Sequence, residues 1–356
     1  MLRKTNQGLD LPQKVSSRLL KLISTSSGAF LSVLSADLVY FVRQQINQKN
    51  DSFKLSKKTS YPELSLPLAA SVIVDSNKHG YAIYPYDIAG TGQDQSKVKF
   101  AQDVDTFKWY AVKKFTYKPT SEIDMLKKIN RFESYLEIAP KSNRCSFFTS
   151  YLYRLGLCAG RHYVVQELVD GDTLLKKSYW IMCSDLSVKI KTAFDILLGV
   201  EDIHSQNIIH RDIKGSNIMF DTKKQQWVLV DFGNAMDSHL LPANGKMIGN
   251  PVGTDGFDSP ETSPKFHGKY GYTLPSFKSD IYSLGVAFKK YIFYDLKELE
   301  SSSAGRTIAS ILSAMTDSLP AGRPCIDELI NGFKSQLGQV LDDSNVELRQ
   351  KHSLSR

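Results

Sequence analysis

Cysteine is scarce in this chain. The four present, Cys145, Cys158, Cys183 and Cys325, lie far apart, with no C-x-x-C pair and no zinc-type spacing. That sets aside a disulfide framework and a cysteine metal site, and leaves reduced thiols of a cytosolic protein as the plain expectation. Long apolar runs are missing too. The nearest candidate, residues 28–42, is interrupted by Asp37 and is too short to cross a bilayer. There is no internal repeat, which argues against a solenoid or propeller. No basic run is long enough to argue for nucleic acid. The net charge of +8 is mild for 356 residues and suits an anionic ligand, an acidic partner or an anionic membrane surface.

What is present is an ordinary globular composition, 42% hydrophobic and 23% charged, enough for one or two cores. Residues 1–70 match no motif. Leu19, Leu20, Leu22 and Ile23, and then Leu31, Leu34, Leu38 and Phe41, fall near helical spacing. They predict two amphipathic helices, which either dock on the body of the protein or contact a membrane surface or partner. Residues 47–67 are polar and read as a linker. Short β-type runs follow at 70–75, 81–88, 98–101 and 109–115, then a helical stretch from Thr120 to about Ile138, then strands at 149–155 and 162–168. Beyond Gly171 the pattern is mainly helical, with short strands around Ile218 and Val228. Strands with one helix, then mostly helices, predict a bilobal α+β architecture: a small β-rich lobe over 71–168, a larger helical lobe over 169–337 and a polar tail over 338–356.

The most informative string is His210-Arg211-Asp212-Ile213-Lys214-Gly215-Ser216-Asn217. Asp231-Phe232-Gly233 follows, with Asp231 fourteen residues after Asn217. Apolar residues flank both strings (Ile208, Ile209, Ile218, Met219, Val228), as strands around a rigid loop should be. HRDIKxxN followed by DFG resembles the catalytic core of eukaryotic-type serine/threonine protein kinases. The resemblance covers roughly residues 75–335. It implies that Asp212 orients the substrate hydroxyl or accepts its proton, and that Lys214 offsets charge on the transferring phosphoryl group. Asn217 and Asp231 would hold Mg²⁺ at the phosphates of ATP. Lys214 further favours Ser/Thr over Tyr acceptors.

The same resemblance extends to the small lobe. Ala111-Val112-Lys113 reads as the strand whose lysine reaches the α- and β-phosphates, with Ala111 two residues away on the same face, covering adenine. Glu122 is favoured as the lysine's carboxylate partner, although only nine residues separate it from Lys113, whereas Glu133 stands twenty away. Four residues beyond Glu122 lies Leu126, which suits an apolar interior; four beyond Glu133 lies Glu137, which does not. Gly90-Thr91-Gly92 begins a glycine-rich loop that lacks its third glycine: Gln95 stands near that place and Val98 arrives one residue late. Gln166 corresponds to the gatekeeper, the backbone of Glu167 and Val169 to the adenine contacts, and Met219 to the pocket floor.

Ser259-Pro260-Glu261 resembles the end of an activation segment, with Glu261 expected to pair with Arg323. Thr254 is expected to steady Asp212 and Lys214, and Asp280 to hold the backbone of the catalytic loop. Arg211 is the arginine that in many kinases awaits a loop phosphate. Only Ser238, Thr254 and Ser259 offer hydroxyls between Asp231 and Glu261, so no activation-loop phosphorylation is expected.

These readings imply ATP and Mg²⁺ as cofactors, a protein substrate, no nucleic-acid partner and a cytoplasmic location. The amphipathic leader also suits a protein acting in the cytosol of a host cell. Basic residues ahead of the apolar stretch faintly resemble a secretory signal, but secretion would separate a kinase from its ATP. Two alternatives stand beside the main reading: a pseudokinase acting as a binding or scaffolding module, suggested by the degenerate glycine loop, and a small-molecule or lipid kinase on the same fold.

Overall fold

The computed structural model describes residues 53–54, 71–75, 77–87, 98–106, 108–115, 118–138, 161–241, 253–263 and 274–354. The sequence-predicted helices within 1–52, the strand at 149–155, and Gly90 and Gly92 lie outside the described residues. The chain divides into two compact units. One comprises Met1–Lys118 with Phe132–Gly171, the other Pro119–Arg131 with Asp172–Arg356.

The first unit is built on an antiparallel sheet. Its strands are β1 (Phe53–Lys54), β2 (Ser71–Val74), β3 (Gly80–Asp87), β4 (Val98–Asp103), β5 (Trp109–Phe115), β6 (Phe132–Ile138) and β7 (Arg161–Glu167), in the order β1-β2-β3-β4-β5-β7-β6. Period-2 alternation sorts the side chains of β5 between two faces. Tyr110 and Val112 join Ile73, Tyr81, Ile83, Ala101 and Val165 in one apolar cluster, and Ala111 and Lys113 take the other side. Tight turns keep the register. Asp75 Oδ1 accepts from the backbone N–H of Asn77 and His79, each at 2.8 Å. Asp103 Oδ1 does the same for Asp105 and Thr106. Such side-chain-to-backbone bonds are why Asp favours turns.

The helix expected from Thr120 to about Ile138 is shorter. Helix α1 spans Thr120–Lys128. It ends in a Schellman arrangement: Asn130 takes a left-handed φ of 54°, its N–H reaches Lys127 O at 3.2 Å, and Arg131 N–H reaches Leu126 O at 2.9 Å. Residues 132–138 instead form β6, which pairs along β7 from Phe132↔Gln166 to Ile138↔Arg161. Phe132 and Tyr135 suit a pleated surface, and the ladder satisfies backbone groups that a longer helix would have used.

The second unit carries α2 (Leu174–Met182), α3 (Leu186–His204), β8 (Ile208–Ile209), β9 (Ile218–Asp221), β10 (Gln226–Leu229), β11 (Met236–Asp237), α4 (Phe277–Tyr291), α5 (Leu296–Glu300), α6 (Ser303–Met315) and α7 (Ile326–Leu354). Helix α3 supplies the centre of its core: Ile190, Ala193, Ile196, Leu197, Val200 and Ile203 are all buried, recurring at three- and four-residue intervals. Helix α4 starts in a capping box, with Ser276 N–H donating to Ser279 Oγ at 2.7 Å. Gly285 lets α4 approach α6; a Cβ there would lie 2.8 Å from Met315 Cβ. The stretch after 337, read from sequence as a polar tail, continues α7 to Leu354. No helix among the described residues is long and apolar enough to cross a membrane.

Candidate active site

Asp280, in the first turn of α4, is 1% exposed. Its carboxylate accepts three donors from elsewhere in the unit: His210 N–H at 2.7 Å, Arg211 N–H at 2.9 Å and His204 Nε2 at 3.0 Å. Two successive backbone amides converging on one buried carboxylate fix the path of the loop at the point where it must bend. Arg211 sits there with a left-handed φ of 62°, a conformation that an L-residue holds only when its surroundings impose it.

Asp212, next in the chain, receives donors on both oxygens. Thr254 Oγ1 donates to Oδ1 at 2.6 Å. Lys214 Nζ donates to Oδ2 at 2.9 Å and to Thr254 Oγ1 at 2.7 Å. Asn217 Nδ2 reaches Asp212 O at 2.9 Å and Oδ2 at 3.2 Å. Carboxylate, ammonium, hydroxyl and carboxamide therefore form one closed hydrogen-bonded cluster, with Asp212 6% and Asn217 5% exposed. Closed networks of this kind hold side chains within narrow limits of position.

Asp231 reaches the same end of the unit through a hairpin. Strands β9 and β10 pair antiparallel with Leu229 opposite Ile218, and Val230 N–H donates to Asn217 O at 2.9 Å. The next residue is Asp231, with φ 65° and its side chain capping the 3-10 turn Phe232–Asn234. Asn217 and Asp231 thus flank the open end of one hairpin, away from its turn. Asn217 spends its amide nitrogen on Asp212 and leaves Oδ1 with nothing stronger than a 3.5 Å contact from Ser216 Oγ. A carboxamide oxygen and a carboxylate make a hard oxygen pair that fits Mg²⁺, which keeps several waters and needs few protein ligands. Among the described residues no group of three or more His, Cys, Asp or Glu is arranged to hold a metal. His210 secures the hairpin from behind. Its Nε2–H donates to Val230 O at 3.1 Å, its ring lies 5.2 Å from that of Phe232, and its buried Nδ1 has no partner.

Helix α1 is tied to this region. Ser121 Oγ donates to Ala235 O at 3.0 Å, Lys128 pairs with Asp237, and Arg131 donates to Leu229 O at 2.6 Å. Glu122 lies in its first turn, 2% exposed, and Leu126 one turn on is equally buried. Glu133, the alternative partner for Lys113, stands on β6 instead, where it faces Tyr110 and, with burial as the larger cause, keeps that phenol from ionising.

In the first unit, Lys113 is 4% exposed and directly opposite Val98 on β4 and Val164 on β7, while Ala111 pairs with Phe100 and Gln166. Cross-strand partners and residues two apart share a face, so Val98, Ala111, Lys113 and Gln166 line one side of the sheet. Glu167 ends β7 and Val169 is buried just beyond it. In the second unit Met219 is buried on β9, bridged to Thr173.

Residues 86–328 match the family model described as protein kinase domain. The chain belongs to the protein kinase family. It has the bilobal α+β fold of such kinases, and it is similar to several curated ones. A probable serine/threonine-protein kinase, fnkB, of Dictyostelium discoideum is 32% identical over 151 residues, covering 41% of this chain and 26% of that protein. The serine/threonine-protein kinase PknA of Nostoc sp. is 36% identical over 124 residues, 35% of this chain and 21% of that protein. Serine/threonine-protein kinase B of Synechocystis sp. is 38% identical over 133 residues, again 35% and 21%. The chain thus spans only about a quarter to a fifth of these relatives' length.

Glu261, in the string that resembles the end of an activation segment, forms a buried ion pair. Arg323, 2% exposed, makes a two-pronged contact with Glu261, Nη1–Oε1 at 2.7 Å and Nη2–Oε2 at 2.8 Å. Its remaining donors reach the carbonyls of Asp317, Lys278 and Ser318. Ser259 is 1% exposed and bonded to Thr262 at 2.8 Å. Arg211 Nε donates to Asn234 O at 2.5 Å. Two further residues that no motif marks stand in these networks. His204 is a third donor to Asp280, and its signal, a histidine ending an apolar helix, is too common to single out. Asp258 lies beside the Asp212 cluster and carries no motif signal.

Proposed function

We propose that the chain is an ATP-dependent serine/threonine protein kinase that transfers the γ-phosphoryl group to a protein hydroxyl. The observation that carries this reading is the closed Asp212–Lys214–Thr254–Asn217 cluster. Asp212 Oδ1 and Oδ2 are oriented by three donors, so the carboxylate is held ready to align an incoming hydroxyl and take up its proton. Lys214 keeps an ammonium beside that position, where it can offset negative charge developing on phosphoryl oxygens. The Lys214–Thr254 bond suits Ser/Thr acceptors by the resemblance on which that lysine was read.

Asn217 Oδ1 and Asp231 would hold Mg²⁺. By the same resemblance Lys113 corresponds to the lysine that meets the phosphates, and Glu122 to its carboxylate partner. By the family resemblance, Ala111, Val98, Met219 and the backbone of Glu167 and Val169 correspond to the adenine contacts, and Gly90 and Gly92 to the glycine-rich loop. Mg²⁺-ATP supplies the activated phosphoryl group; the protein's part is positioning and electrostatics. Dependence on ATP suits a cytoplasmic location. The decisive experiment is phosphoproteomics of cells expressing wild type against Lys113→Met. Phosphoserine and phosphothreonine sites present only with wild type support the reading, and identical profiles overturn it. Offering lipids and peptides together to the purified protein separates this reading from a lipid kinase.

Loop phosphorylation is not part of the proposed activation. Thr254 and Ser259 are engaged in hydrogen bonds, and Arg211 already donates to a backbone carbonyl. Phosphatase treatment should leave the rate unchanged; loss of activity together with a phosphosite mapped between Asp231 and Glu261 would contradict this.

A further inference from the structure

Asp258 lies between Phe257 and Ser259 in the segment that delivers Thr254 to the catalytic cluster. Its carboxylate accepts the backbone N–H of Thr254, the residue whose hydroxyl bridges Asp212 and Lys214. Phe257 N–H returns to Thr254 O at 3.0 Å, closing the turn. The carboxylate also rests on Gly253: a Cβ there would meet Asp258 Oδ1 at 2.1 Å and Arg211 O at 3.4 Å. Gly253 has φ 137°, a region L side chains rarely adopt. The missing side chain at 253 and the carboxylate of 258 thus fill one space, over the backbone of the residue that precedes Asp212.

We propose that Asp258 is a positioning residue of the phosphoryl-transfer site: as the carboxylate it holds the Gly253–Thr254 turn so that the Thr254 hydroxyl bridges Asp212 and Lys214. The proposal rests on the kinase reading above. A charged acceptor binds an N–H roughly twice as strongly as a neutral one, so the hold weakens when Asp258 takes up a proton.

Protonation falls in an accessible range. Half-burial raises the Asp258 pKa to about 6. The Thr254 N–H opposes that rise, the neighbouring carboxylates of Asp212 and Asp255 add to it, and Lys214 opposes it. The native state therefore favours the protonated acid. Its contribution to stability is present below about pH 4 and is lost as pH rises through about 6. The form that positions Thr254 is the form that costs stability, a combination met at functional sites.

The test compares full-length wild type, Asp258→Asn and Asp258→Ala. Transfer of phosphate from Mg²⁺-ATP to a mixed Ser/Thr peptide library is measured between pH 5 and 9, with thermal midpoints at pH 4.5 and 7.5. Wild type should lose rate on an acid limb centred near pH 6, and this limb should be absent from Asp258→Asn. Asp258→Ala should lower kcat by roughly 10- to 100-fold at pH 7.5, the value of one charge-assisted hydrogen bond, with the KM for ATP unchanged. Asp258→Asn should raise the thermal midpoint at pH 7.5 and leave it unchanged at pH 4.5; a residue that serves only as structural support would lower it. Superimposable pH profiles of wild type and Asp258→Asn overturn the proposal and leave the kinase reading intact. Should wild type transfer no phosphate, the ¹⁵N-labelled Thr254 amide decides. A shift midpoint near pH 6 that vanishes in Asp258→Asn supports the proposal, and an invariant amide overturns it.

Discussion

Asp212→Asn is expected to lower the rate of phosphoryl transfer by roughly 10²- to 10⁴-fold, the span that positioned acid–base groups contribute. The fold should be untouched. Asparagine keeps the shape of the side chain and an oxygen that can accept from Thr254 or Lys214, which sit 2.6 Å and 2.9 Å from the two carboxylate oxygens. It removes the charge and the ability to take a proton from the acceptor hydroxyl. Nucleotide affinity should be nearly unchanged, since the groups proposed to hold ATP and Mg²⁺ are Lys113, Asn217 and Asp231. The readout is radiolabel transfer at saturating ATP, paired with nucleotide titration of both proteins. Equal labelling by wild type and variant would sink the enzyme reading and leave a binding module on the kinase fold.

Arg323→Ala is expected to destabilise the second unit by about 3–5 kcal/mol, the cost of leaving one charge of a buried pair alone. Glu261 is itself 5% exposed, so its carboxylate would have neither partner nor adequate water. Three backbone carbonyls would lose their donor as well, and the ring of Tyr282 would lose the guanidinium stacked 4.9 Å from its centroid. Arg323→Lys should recover little, because an ammonium cannot reproduce the two-pronged contact. Replacing both partners by apolar residues of similar volume, Arg323→Met with Glu261→Leu, should recover much of the loss. Urea denaturation monitored by tryptophan fluorescence compares all three variants with wild type. A midpoint for Arg323→Ala within error of wild type would show that the pair is not sequestered as described.

The catalytic loop was legible because its chemistry is packed into short stretches. Asp212, Lys214 and Asn217 lie within six residues, and such local spacing survives whatever the rest of the fold does. The pairing of Arg323 with Glu261, the anchoring role of Asp280 and the steadying role of Thr254 were anticipated through family resemblance and are visible as hydrogen bonds. The extent of helix α1 was misjudged. Apolar and charged residues from Thr120 to Ile138 suit a helix, but Asn130 turns the chain, and pairing with β7 makes a strand of residues 132–138. The continuation of α7 through the polar stretch after 337 was also missed, since polarity alone does not distinguish an exposed helix from a tail. Asp258 and His204 carry no motif signal: His204 acts on Asp280, 76 residues away, and Asp258 acts through the turn that brings Thr254 to Asp212.

By itself, the order of residues determined which groups are candidates for the chemistry, because a carboxylate, an ammonium and two metal-seeking oxygens at those intervals match the kinase pattern. Tertiary structure supplied the contacts that hold them still. Asp280, Thr254 and Arg323 reach their partners across stretches that no short-range spacing rule connects, and only a packed interior brings such distant groups within hydrogen-bonding distance.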